Sequence, residues 1–179
     1  MIVELFFLPM NVSCGLLGSW LDLKSVVALD SALCSRARRV QLSGVLGAKE
    51  LVHHNPVAVR GANMIQWLYT KSLRIGNLVF SAETERSHVL AQYFASFGDS
   101  VRRVHFCEEC NEIETMFLAA CYCKNITSLR CTNVSLSYAF HVILRNNPNI
   151  LEIWVHEATC MLEGLTSYSF SPSRACPAV

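Results

Sequence analysis

Apolar residues in the second half of the chain recur in the spacing apolar-x-x-apolar-x-apolar, which occurs four times. The copies begin at Ile75, Val101, Ile126 and Ile150, so their starts are 26, 25 and 24 residues apart. Each copy has the alternation of a short, half-buried strand and is followed by apolar residues at helical spacing. The pattern predicts a strand, a turn and a helix repeated four times over residues 75–170. Residues 171–179, which are polar and contain proline, are predicted to form a disordered tail.

The first 54 residues have a different pattern, with short apolar clusters at helical spacing and no strand alternation. Leu16, Leu17 and Trp20 share one helical face, and a second cluster follows a break at Asp22. A third apolar stretch begins after Ser35. The pattern predicts three short helices.

Residues 55–74 connect these two parts. Asn55-Pro56 is a plausible helix start, and apolar or small residues follow it on one helical face: Val57, Gly61, Met64, Ile65 and Leu68. We predict a rigid linking helix over this segment. The preceding His53 and His54 are predicted to lie in a solvated loop.

The spacing L-x-x-L-x-L at a period of 24–26 residues resembles the leucine-rich repeat, in its longer cysteine-containing form. The resemblance covers residues 75–170. It implies a curved solenoid in which each unit adds one strand and one helix. The expected fold class is therefore α/β, with an N-terminal three-helix motif followed by a short solenoid of about four units.

Residues 1–54 resemble the F-box, a helical motif that opens with Leu-Pro and continues through an aliphatic helix to an Asp-Leu pair. The matching residues are Leu8, Pro9, Val12, Leu16, Leu17, Leu21, Asp22, Leu23, Val26 and Leu29. The resemblance implies binding to the small adaptor subunit of an SCF-type cullin-RING ubiquitin ligase through apolar helix faces. The residues expected to make that contact are Leu8, Pro9, Val12, Leu16, Leu17, Leu21, Leu23 and Val26.

Divergent F-box-like proteins also carry leucine-rich repeats, and in them the repeats select the protein to be ubiquitinated. The resemblance thus implies a substrate-recognition adaptor that acts in the cytoplasm, with the nucleus as a second compartment. No catalytic activity of its own is expected, because the chain has no glycine-rich phosphate loop, no nucleophile motif and no RING-type ladder of cysteines and histidines.

The residues between the apolar positions of each strand are predicted to share the opposite, concave face of the sheet. Those expected to contact an unknown target protein are Arg103, His105, Arg130, Glu152, Trp154 and His156. An exposed Trp beside an Arg has the composition of a binding hot spot. The alternative is that Trp154 packs under the C-terminal tail.

Composition narrows the range of partners. Fifteen basic and fourteen acidic residues give a net charge of +1, so nucleic acid is not an expected partner. The chain has no uninterrupted apolar run of about 18 residues, which argues against a membrane span. Its start carries Glu4 and lacks a basic region, which argues against a signal peptide.

Two other functions remain open. One is a repeat-based interaction scaffold without a role in ubiquitination. The other is a secreted repeat protein, for which the glycosylation sequons at Asn11, Asn125 and Asn133 would be used.

Four cysteines lie close together at Cys107, Cys110, Cys121 and Cys123 and offer the ligands of a zinc site. However, the predicted helix between them places the two pairs at its opposite ends. Buried thiols that fill the core of the repeats are the better interpretation. We therefore expect no metal and no cofactor.

Overall fold

The computed structural model describes residues 8–59, 61–80, 87–107, 113–132 and 138–156. The protein has an α/β fold in which three N-terminal helices precede a parallel sheet. That part of the predicted fold class is confirmed. The predicted tail at 171–179 and the last predicted helix, after residue 156, lie outside the described residues.

The helical region consists of α1 (Met10–Ser19), α2 (Leu23–Ala32) and α3 (Arg36–Leu46). Pro9 directly precedes α1, where its missing N–H costs no hydrogen bond. Asp22 caps α2, because its side chain accepts a hydrogen bond from the Ser25 N–H at 2.8 Å. The same bond lowers the pKa of the Asp22 carboxyl. The breaks between the helices thus lie where the sequence pattern predicts them.

The rest of the described chain contains seven strands and four further helices. The strands are β1 (Val52–His53), β2 (Val57–Val59), β3 (Arg74–Ile75), β4 (Asn77–Phe80), β5 (Arg103–Phe106), β6 (Ser128–Thr132) and β7 (Glu152–His156). The helices are α4 (Ala62–Thr70), α5 (Ser87–Phe97), α6 (Ile113–Tyr122) and α7 (Tyr138–Asn146), and a 3₁₀ turn at Gly98–Ser100 follows α5.

Five strands form one parallel sheet in the order β2-β4-β5-β6-β7, and β1 pairs with β3 in a second, two-stranded parallel sheet. In the larger sheet, the central apolar positions of the four sequence copies, Leu78, Val104, Leu129 and Ile153, pair with one another across neighbouring strands. The last apolar positions, Phe80, Phe106, Cys131 and Val155, pair in the same way. The residues that align between copies in the sequence are therefore the residues that pair across the strands of the sheet.

The core lies between this sheet and the helices, which pack against one another in chain order. Phe80 and Phe106 are fully buried and stack with their ring centroids 5.4 Å apart. Phe94 of α5 meets the Phe80 ring edge-on at 6.3 Å. Such aromatic contacts add to the stabilisation from burying apolar area.

Two side chains, Tyr93 in α5 and Asn147 directly after α7, accept hydrogen bonds from backbone N–H groups at the starts of sequence copies. The Tyr93 hydroxyl accepts a hydrogen bond from the Ile75 N–H at 3.2 Å and donates to the Leu73 carbonyl at 3.0 Å. The Asn147 side chain accepts one from the Ile126 N–H at 2.8 Å. Ile75 and Ile126 are the first apolar positions of their copies, so each of these amides is buried yet satisfied.

The prediction of a single linking helix over residues 55–74 is wrong. Val57–Val59 forms β2, which pairs in parallel with β4, and the helix begins only at Ala62. Gly61 separates the two elements with φ +149°, a backbone conformation that L side chains rarely adopt. The segment therefore adds a fifth strand and a further helix to the pattern of the four copies.

Candidate protein-binding surfaces

The face of the sheet opposite the apolar core contains a cavity of about 520 Å³. Its polar lining comes from neighbouring strands: Asn77, Arg103, His105, Ser128, Arg130 and Glu152. These side chains meet because each strand alternates and the register repeats from strand to strand. Strand alternation thus places the predicted residues Arg103, His105, Arg130 and Glu152 in one cavity.

Glu152 is the centre of a side-chain network at one end of this cavity. Its Oε2 accepts a hydrogen bond from the Ser128 hydroxyl at 2.7 Å, and its Oε1 accepts one from the Trp154 indole N–H at 2.6 Å. The Arg130 guanidinium lies 3.6 Å from the same Oε1. The hydrogen bonds from Ser128 and Trp154, with the nearby Arg130, lower the pKa of Glu152. The carboxylate is therefore ionised and held in place.

Trp154 is 41% exposed, and the Arg130 guanidinium lies 5.4 Å from its ring centroid. This distance is typical of a cation–π contact. The predicted proximity of Trp154 and Arg130 is therefore present, and the ring keeps an accessible surface. The alternative, packing under the C-terminal tail, concerns residues outside those described.

Two further residues of the predicted contact set differ in their surroundings. His105 is half-buried. Burial is the main cause that lowers its pKa, and the positive charge of the nearby Arg130 lowers it further. The backbone of His156 lies at the end of β7, where it pairs with Thr132. Ser128, which was not in the predicted set, is buried and positions Glu152. Its place in the strand alternation is the sequence signal that could have identified it.

A second exposed surface lies on the helical region. Val12 and Leu16 of α1 and Trp20, the helical cap residue that follows it, are spaced at intervals of four, which places them on one side of the helix. Trp20 is 80% exposed and Val12 is 42% exposed, while Leu16 is half-buried. Leu8 and Pro9, which precede the helix, are also exposed. We call Leu8, Pro9, Val12, Leu16 and Trp20 the α1 stripe.

The structure divides the predicted adaptor-contact residues into exposed, half-buried and buried groups. Leu17 and Val26 have only 1% of their surface exposed and belong to the core, so neither is accessible to a partner. Leu21 and Leu23 are half-buried against that core. Trp20, which was not in the predicted set, is the most exposed residue of the stripe.

The helical region is attached to the sheet region by polar contacts. Lys71 and Asp30 form an ion pair at 2.8 Å with both side chains largely buried. The Arg74 guanidinium donates to the carbonyls of Gly47 and Ala48 at 3.2 and 3.0 Å, at the C-terminal end of α3. A cation is favourable there because the C-terminal end of a helix carries the negative end of its dipole.

Backbone contacts between α1 and β1 are equally close. A Cβ atom added to Gly18 would lie 2.8 Å from the Val52 carbonyl oxygen, so only glycine fits at this crossing. The His54 N–H donates to the Gly18 carbonyl at 3.2 Å. His53, predicted to lie in a solvated loop, is instead 1% exposed within β1, and its Nε2 has no hydrogen-bond partner among the described residues. The helices are thus fixed against the sheet.

Among the described cysteines, Cys123 is fully buried, and burial raises the pKa of its thiol to about 12. Cys107 and Cys121 are partly exposed, and Cys110 lies outside the described residues. In the part of the chain that the structure describes, no group of three or more histidine, cysteine or acidic side chains is placed to hold a metal.

Two of the three sequons can be located. Asn11 and Asn125 are exposed, and the Asn125 side-chain nitrogen donates to the Asp99 carbonyl at 2.8 Å. Asn133 lies outside the described residues. None of the described helices is long and apolar enough to cross a membrane.

Comparison with protein-family models, with curated proteins and with solved structures found no significant match.

Proposed function

We propose that this protein is the substrate-recognition adaptor of an SCF-type cullin-RING ubiquitin ligase. In this function the helical region binds the ligase's small adaptor subunit, and the sheet face binds a target protein in the cytoplasm or nucleus. The observation that carries the proposal is the α1 stripe, in which apolar side chains stay exposed directly after Leu8-Pro9. A helix that leaves large apolar side chains such as Val12 and Trp20 exposed to water favours a protein partner.

We further propose that the sheet region is a leucine-rich-repeat solenoid. The support is the strand order, which follows the chain, and the pairing of equivalent apolar positions between strands. Sequential packing of the helices is consistent with it. In such an array each unit buries its apolar face only against its neighbours, which leaves the strand face free for a target.

A second function is favoured by the contacts between the two regions. Gly18 crosses β1 at contact distance, and Arg74 and Lys71 hold the ends of the helices. These contacts would also be needed if the helices only capped the end of the sheet. The protein would then be an interaction scaffold without a role in ubiquitination.

Co-purification with the small adaptor subunit distinguishes the two functions. The double variant Val12→Ser/Trp20→Ser changes exposed residues of the α1 stripe, so it should keep the fold and lose the adaptor. The matched control is Val40→Ser, because Val40 is 64% exposed on α3, away from the stripe. If the wild-type chain does not bind the adaptor, the ligase function fails and the scaffold remains. If the double variant binds as well as wild type, the α1 stripe is not the contact surface.

A further inference from the structure

The sheet face carries an excess of positive charge. A second cavity of about 390 Å³ adjoins the first, and both are lined by Asn77 and Arg103. Together the two linings contain Arg102, Arg103, Arg130, His54 and His105. Glu152 is the one carboxylate among the described residues that line them. The face is therefore basic although the whole chain carries a net charge of only +1.

The single carboxylate does not neutralise this face. Both Glu152 oxygens already accept hydrogen bonds, from Ser128 and Trp154, and its nearest cation is Arg130 at 3.6 Å. Arg102 donates to the carbonyl of Asp99 rather than to a carboxylate. Arg103 is exposed, and its guanidinium forms no ion pair or hydrogen bond with the described residues. Its charge is thus available to a ligand.

The positions of the two key arginines favour an extended ligand. Arg103 pairs with Ser128, and Arg130 lies two residues further along β6, so the arginines are diagonal neighbours on adjacent strands. Diagonal neighbours on a sheet are about 7–8 Å apart. Side chains on one side of an extended peptide repeat every two residues, about 6.6–6.8 Å. Two acidic residues at positions i and i+2 of such a peptide match this spacing.

We propose that the sheet face binds an acidic, extended segment of a target protein, with two carboxylates on Arg103 and Arg130 and an apolar side chain against Trp154. Guanidinium groups bind carboxylates through paired, charge-assisted hydrogen bonds. The exposed part of the Trp154 ring supplies apolar contact beside them. The inference rests on the proposed function of the sheet face as a protein-binding surface, and it does not depend on the ligase adaptor.

The test uses the full chain and fluorescence anisotropy of labelled 12-residue peptides. One peptide alternates Glu with Ser and contains one Leu, and its partner has Gln in place of every Glu. Wild type should bind the Glu peptide at least about tenfold more tightly than the Gln peptide, and added salt should weaken the Glu complex. Arg103→Gln and Arg103→Gln/Arg130→Gln should each lose most of this difference.

The matched control is Arg36→Gln/Arg38→Gln, which removes two exposed positive charges from α3 and should leave peptide binding unchanged. Arg103→Gln alone leaves the Arg130–Glu152–Trp154 network intact, so a loss there does not reflect misfolding. Equal affinity for the two peptides, an equal loss in the control, or tighter binding of a 12-nucleotide single-stranded RNA would each overturn the inference. Peptide binding without adaptor binding would keep this inference and remove only the ligase function.

Discussion

The helical region, residues 8–51, and the sheet region, residues 52–156, differ in how completely they bury apolar side chains. Of ten exposed large apolar residues among those described, six lie in the shorter helical region: Leu8, Met10, Val12, Trp20, Val27 and Val40. Within α2, Val26 is the one buried residue. In β4 and β5, by contrast, every second residue is buried.

This difference has a geometric cause. In the sheet region, strands pair with strands and helices pack on helices, so the repeated units enclose their apolar side chains between the two layers. Three short helices offer fewer partners, and α1 uses the side containing Leu17 and Gly18 against the core. Its adjacent side, the α1 stripe, stays largely exposed to solvent. The sheet region therefore buries its apolar side chains internally, whereas the helical region leaves part of its own exposed.

The largest expected effect is in the sheet core. Phe106→Ala removes a fully buried ring stacked on Phe80 and should lower the free energy of unfolding by about 3–5 kcal/mol. Phe117→Ala, at a site that is 44% exposed on α6, should cost less than about 1 kcal/mol. Urea unfolding of both variants measures the difference. Equal losses would mean that the sheet core is not the stabilising part of the molecule.

A neighbouring pair on α2 tests the packing of the helical region. Val26 has 1% of its surface exposed and Val27 has 38%. Val26→Ala should therefore lower the free energy of unfolding by about 2 kcal/mol, from two lost methyl groups and a small cavity. Val27→Ala should change it by less than about 0.5 kcal/mol. If both variants unfold at the wild-type urea concentration, the helical region does not unfold together with the sheet.

The hydrogen bonds of Tyr93 test the attachment of β3. Tyr93→Phe keeps the ring and leaves the Ile75 N–H and the Leu73 carbonyl without their partner, which should cost about 1–2 kcal/mol. Tyr122→Phe removes a hydroxyl from a side chain that is 42% exposed and should have almost no effect. Thermal unfolding compares the two, and a similar change in both would show that the Tyr93 hydroxyl contributes no net stability.

The smallest expected effect concerns His53 at the junction. Burial lowers the pKa of His53 below its ordinary value of 6.5. As pH falls below that value, the unfolded chain takes up a proton that the folded chain resists, so stability should decrease by at most about 1.4 kcal/mol per pH unit. His53→Leu should make the decrease between pH 7 and pH 5.5 shallower.

His54→Leu is the matched control, because His54 is exposed in the same segment. It should leave the pH dependence of the unfolding free energy as in wild type. A His53→Leu slope equal to that of wild type would show that other groups carry the pH dependence.

The amino-acid sequence by itself determined the order and register of the repeated strands. Leu78, Val104, Leu129 and Ile153 could be aligned without a structure, because strand alternation and a constant interval are local properties that each copy carries. The three N-terminal helices were predictable for the same reason, since helical spacing, Pro9 and the cap at Asp22 act within a few residues.

Only the tertiary structure decided which of two adjacent apolar residues is buried and which element an ambiguous segment forms. Val26 and Val27 have the same chemistry, and the side on which α2 packs separates them. Val57–Val59 fits both helical and strand spacing, and its pairing with β4, about twenty residues away in sequence, makes it a strand. These outcomes depend on contacts between distant parts of the chain, which no local pattern of residues contains.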